Sequence, residues 1–149
     1  MWKKSYCKMF SEITKEDIWN AWIDVKKWPD WDSGLEEAHI EGPFSGGTVI
    51  VLKPKRMNSV QIEITEVSYM DSFTVCFHFW GARLWWLHTM QETDKGLVLR
   101  SVLTVKGWLS YVWVFLVVKG IFKMIPDQTD NLVSYVLRRR KNHKNDDAT

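Results

Sequence analysis

The sequence offers little with which to build a covalent or cofactor framework. Its two cysteines, Cys7 and Cys76, lie far apart. That is too few for a disulfide scaffold, and the spacing is not that of a zinc or redox pair. No apolar run is long enough to cross a bilayer, which takes roughly 20 residues. The longest, Tyr111 to Val118, is followed by the interrupting Lys119 and Lys123. The N-terminus, Met1-Trp2-Lys3-Lys4-Ser5-Tyr6-Cys7-Lys8, lacks the apolar core of a secretory signal. Neither sign of charge dominates: 20 basic against 18 acidic residues leave a net +2, which gives no electrostatic case for nucleic acid. Nucleophile elbows, phosphate loops, zinc-spaced clusters and dinucleotide fingerprints are all missing. Gly46-Gly47 suits a hairpin turn, because no helix start follows it. These absences predict a cytoplasmic protein with no metal and no cofactor. Its 149 residues suit one domain over 1–140, with a polar, disordered tail over 141–149. Arg138-Arg139-Arg140-Lys141 reads as the solvated end of a helix.

Tryptophan, by contrast, is abundant. Four of the ten fall between Thr14 and Asp32: Trp19, Trp22, Trp28 and Trp31. The segment opens with Thr14 and Asp17 in a capping-box pattern, and Ile13 and Ile18 are placed as a hydrophobic staple. Ile18, Trp22 and Val25 recur on one helical face. Pro29 then disfavours a helical Trp28 and breaks the segment. So much aromatic area in so few residues has to cover something large and apolar, either an ordinary core or a ligand cavity.

Beyond this segment the pattern turns to strands. Gly47–Leu52, Val60–Glu66, Phe73–Phe79, Ala82–Gln91 and Leu97–Lys106 are β-branched or alternate apolar with polar residues. Glu36–Glu41 and Met1–Phe10 add two more. The links between the middle strands are short, which requires antiparallel neighbours. From Trp108 to Arg140 the spacing is helical, with a kink or break expected at Pro126. Leu109, Val112, Leu116, Gly120 and Met124 form its expected core stripe, continued by Ile125, Leu132 and Val136. The pattern predicts an α+β fold with two short helices after the first strand. Its seven-stranded antiparallel sheet packs on a long C-terminal helix.

Several phrases resemble the START-like, or SRPBCC, superfamily and its polyketide cyclase/dehydrase branch. They are I-W-N-A-W-I-D-V-K-K-W-P-D-W-D at Ile18 to Asp32, E-G-P-F-S-G-G-T at Glu41 to Thr48, L-K-P-K at Leu52 to Lys55 and I-T-E-V at Ile64 to Val67. The strand centred on His88 and V-K-G-W-L at Val105 to Leu109 add a further match. The resemblance covers nearly the whole chain. It implies the helix-grip fold, in which the sheet wraps the last helix around an internal cavity, and it implies no particular reaction. Trp108 departs from the branch, which often has proline after the glycine.

Two functional readings follow, beside a third in which the cavity is filled and the domain only mediates protein contacts. In the first, the protein binds a small hydrophobic ligand, lipid-like, aromatic or polyketide-like. The cavity is then lined by Trp28, Trp31, Leu84, Trp86, Leu99, Leu103 and Trp113, while His88 and Ser101 orient a carbonyl or hydroxyl. Alternation along the strand sets Trp86 and His88 inward and Trp85 and Leu87 outward. The alternative is a cyclase/dehydrase-type enzyme with His88 as general acid/base. A hydrogen-bonded core histidine is the commoner role for such a residue, and Ser101 is a poor general base, so binding ranks first. Among the remaining histidines, His39 and His78 alternate with apolar neighbours and face out, and His143 is in the tail. Glu66 shares parity with Ile64, which allows an inward carboxylate, but strand ends commonly twist out. Finally, Val114, Phe115, Val118 and Phe122 lie off the expected core stripe. They predict a homodimer through the C-terminal helix, with a membrane surface as the alternative.

Overall fold

The computed structural model describes residues 1–147. Seven strands form one sheet: β1 (Trp2–Phe10), β2 (Leu35–Ile40), β3 (Val49–Pro54), β4 (Val60–Ser68), β5 (Ser72–Phe79), β6 (Ala82–Thr93) and β7 (Gly96–Lys106). Their order is β1-β7-β6-β5-β4-β3-β2, and every pairing is antiparallel. Between β1 and β2 come α1 (Lys15–Ile23) and a 3-10 turn, Val25–Asp30. After β7, α2 (Ser110–Trp113) runs through a π-helical turn (Val114–Val118) into α3 (Lys119–Asp147). This is the helix-grip fold that the order of elements and the resemblance implied.

Local sequence signals account for the first helix. The Thr14 side chain accepts from the Asp17 amide, and the Asp17 side chain accepts from the Thr14 amide, so the capping box is closed. Ile13 and Ile18 are both buried. Asp17 has a second partner, since the Arg140 guanidinium binds its carboxylate and also donates to the Glu12 carbonyl oxygen at 2.8 Å. The basic cluster at the end of α3 is therefore not simply solvated, because Arg140 ties that helix to the start of α1.

Three expectations about the last helix need correction. It runs unbroken through Pro126, where Ile125, Thr129, Leu132 and Val133 are all buried. The irregularity lies instead at the π turn. The buried stripe before Pro126 is Ser110, Val114, Val118 and Ile125, whereas Val112, Leu116 and Met124 are exposed. Both faces of this stretch are apolar, so periodicity alone could not fix the phase, and the wider π turn shifts it further. The segment expected to be a disordered tail is helical as far as Asp147, and residues 148–149 lie outside the described residues.

A register irregularity in β4 between Ile64 and Glu66 decides which way Glu66 points. It resets the alternation, so Glu66 is exposed and Val67 packs against the core. His39 and His78 are exposed, and His78 Nε2 lies 3.5 Å from the Glu63 carboxylate on the outer face.

Candidate functional site

The concave face of the sheet is built by cross-strand pairs. Trp86 pairs with Leu103, His88 with Ser101, and Met90 with Leu99, so these six side chains share the inner face. On β5, Phe73, Val75, Phe77 and Phe79 lie on that face as well. The result is a continuous series of rings. Trp113 stacks on Phe79 at 4.7 Å, and Phe77 links Phe79 to Trp86 at 6.4 and 6.5 Å. Trp86 stacks on His88 at 4.8 Å, and His88 on Phe73 at 4.4 Å with the planes 12° apart.

The tryptophan segment closes over one end of this series. Trp28 Nε1 donates to the Trp22 carbonyl at 3.0 Å, which holds the 3-10 turn against α1. Asp32 fastens the far side: one carboxylate oxygen accepts from the Gly34 amide at 3.0 Å, the other from Gln128 of α3 at 2.8 Å.

Two small chambers remain. The first, about 50 Å³, is walled by aromatic rings that include Trp28, Phe73, Phe77 and Trp86, with Asp32 also on its wall. The second, about 20 Å³, borders Leu99, Arg100, Ser101, Thr129 and Leu132. Trp22, Trp31, His88 and Gln128 line both. Trp31 also lines an open groove of about 510 Å³, with Pro29, Asp30, Ser33, Lys55, Asn131, Ser134 and Arg138. Its indole is thus a common wall between the surface and both chambers.

The polar atoms of this site are poorly matched. Trp31 Nε1 and Trp86 Nε1 are buried without an acceptor among the described residues. His88 has ring neighbours on both faces and the edge of Trp22 at 6.0 Å, but no hydrogen bond to another described residue. Burial pushes its pKa from 6.5 down to about 3, so the ring is neutral at physiological pH. No hydrogen bond joins it to Ser101, although the two residues face each other across β6 and β7.

The sequence-derived residues divide accordingly. Trp28, Trp31, Trp86 and His88 meet at the larger chamber, and Trp31, His88, Leu99 and Ser101 at the smaller. Leu84, Leu103 and Trp113 line neither. They pack in a separate cluster with Val105, Val114, Val118 and Ile125, where the C-terminal helix fills the space above them. Trp22, Phe73, Phe77 and Gln128 were missed. Strand parity could have found the two phenylalanines. Gln128 carries no apolar signal, and only the packing of α3 brings it to the site. Among the described residues, no group of His, Cys, Asp and Glu could hold a metal ion. No helix among them is long and apolar enough to cross a membrane.

No protein-family profile and no curated protein matches the sequence. Solved structures do. A hypothetical protein of Helicobacter pylori superposes with a TM-score of 0.72 at 12% identity, over 90% of this chain and 87% of the other. Norcoclaurine synthase from Thalictrum flavum, in complex with dopamine and hydroxybenzaldehyde, gives 0.68 at 17% identity over 92% and 88%. Ara h 8.0201 gives 0.68 at 14% identity over 92% and 99%. At these identities the likeness establishes the fold alone, the helix-grip architecture, and leaves function to the site.

Proposed function

From that fold we propose that the protein binds a small, flat, apolar molecule bearing a hydrogen-bond acceptor, held among Phe73, Trp86 and His88 beneath Trp31. One observation carries the reading: two buried indole N–H groups, Trp31 Nε1 and Trp86 Nε1, belong to tryptophans that line the same chamber, and they have no acceptor among the described residues. An unmatched buried donor costs about 1–3 kcal/mol. A carbonyl or hydroxyl oxygen in the chamber would satisfy such donors, and the surrounding rings would stack on the rest of the ligand. The chamber of about 50 Å³ has room for water and not for a ring, since a cavity that accepts benzene measures about 150 Å³. Entry therefore requires Trp31 to swing out and join the chambers to the outer groove. Norcoclaurine synthase, with dopamine and hydroxybenzaldehyde in its complex, is a neighbour whose fold accepts flat aromatic molecules with such oxygens.

The cyclase/dehydrase reading with His88 as general acid/base has weaker support. A proton-transfer group works best with a pKa near the operating pH, and burial holds His88 far below it. The nearest carboxylate on the wall, Asp32, is already engaged by Gln128 and Gly34.

The test is a titration of the full chain with aromatic ketones and phenols, observing the assigned indole N–H resonances. Native mass spectrometry and organic extraction of the purified protein identify any ligand it already carries. Trp31 and Trp86 should shift together, and His88→Ala should weaken binding by about 1–3 kcal/mol if the imidazole bonds the ligand. A protein that carries nothing, with both indoles unmoved by every compound, overturns the proposal.

A further inference from the structure

The end of the molecule opposite the tryptophan segment carries an apolar surface that the ligand site does not use. Trp80, at the tip of the β5–β6 hairpin, and Trp108, in the turn after β7, meet edge to face at 5.2 Å, and each is 75% exposed. Tyr111 and Phe115 follow one helical turn apart, joined by Val112 and Leu116, and all four are exposed. The platform is well braced. Trp113 Nε1 donates to the Trp80 carbonyl at 2.7 Å, and the Leu109 amide donates to the Gly81 carbonyl at 3.0 Å. Gly107 has φ +130°, and a Cβ there would lie 2.3 Å from the Gly81 oxygen, so the two turns touch through backbone.

The charge around this surface is predominantly basic. Lys3, Lys4, Lys106, Lys119 and Lys123 are exposed around it, with the Lys119 ammonium 6.0 Å from the Phe115 ring centre and that of Lys4 4.4 Å from Phe122. No aspartate or glutamate occurs from Leu97 to Pro126, from Phe73 to Gln91, or from Met1 to Phe10. A net charge of only +2 conceals this segregation.

We infer that this platform docks the protein on an anionic phospholipid surface. Tryptophan, tyrosine and phenylalanine bounded by lysine suit the interfacial layer, where rings enter the acyl boundary and ammonium groups meet lipid phosphates. Charge decides against a second copy of this chain. A two-fold interface lays the same patch on itself, which would oppose its lysines, and the first acidic residue on that helix is Asp127, one turn beyond Lys123.

The experiment is co-sedimentation of the full chain with phosphatidylcholine vesicles, with and without phosphatidylserine, alongside analytical ultracentrifugation of the protein alone. The expected result is a monomer that partitions onto serine-containing vesicles and is released by salt. Lys119→Glu with Lys123→Glu should lower the partition coefficient by more than about tenfold. Trp108→Ser with Phe115→Ser should abolish partitioning while leaving the thermal unfolding midpoint unchanged, since both side chains are in water. A monomer that ignores both kinds of vesicle overturns the inference. So does a dimer that Trp108→Ser with Phe115→Ser disperses, because the patch is then an interface between copies.

Discussion

At the residue scale, His88 has the sharpest physical consequence. Its folded pKa of about 3 lies below the 6.5 expected for the unfolded chain. Below about pH 6.5 the unfolded chain takes up a proton on this ring, while the folded protein does not until near pH 3. Stability attached to His88 is therefore fully present above 6.5 and is lost as pH falls through that window, by up to about 1.4 kcal/mol per pH unit. His88→Phe keeps a ring between Phe73 and Trp86 and removes the titration. Urea unfolding at pH 7.5 and 5.0 (roughly either side of the unfolded-state pKa) should show a smaller loss for the variant than for the native protein. Equal losses would mean that the imidazole is solvated.

Among the elements, the N-terminus of α1 and the phase of the last helix are each open to test. Thr14→Ala removes one half of the capping box and should cost about 1 kcal/mol in denaturant unfolding. The phase of the C-terminal helix is tested by a pair of truncations. Val118 is fully buried against the cluster that includes Leu84, Leu103 and Ile125, so Val118→Ala should cost about 2 kcal/mol. Phe115→Ala, only three residues away and 75% exposed, should change stability by no more than about 0.5 kcal/mol. The opposite ranking would restore the phase that simple periodicity predicts and remove the platform proposed to meet lipid. An error of this kind is characteristic of helices that are apolar on both faces. Val112, Leu116 and Met124 repeat as regularly as the residues that are buried, and nothing local marks which row meets the sheet.

On the scale of the whole molecule, Trp31 joins the regions that matter for ligand entry. It forms a wall of the outer groove and of both inner chambers. Trp31→Ala should merge them and destabilise the protein by about 3–5 kcal/mol. Added indole, which replaces the missing ring, should raise the variant's melting temperature and leave that of the native protein unchanged. Without such rescue, the space under Trp31 collapses and does not act as a ligand chamber.

What the sequence determined by itself rests on short-range physics. Alternation placed Trp86 and His88 on a definite strand face, and short links required antiparallel pairing. Thr14 and Asp17 set the start of α1 without reference to anything distant. Tertiary structure decided whatever depended on two elements meeting. It brought Gln128 from α3 to Asp32 beside the tryptophan segment, and Arg140 to Asp17. It left Leu84, Leu103 and Trp113 in a packed cluster away from the chambers. It also chose which apolar row of the last helix is buried. Periodicity says that a face is apolar, but burial is a competition between faces for one sheet. That competition is settled by the volumes of side chains far apart in the chain, which no local pattern records.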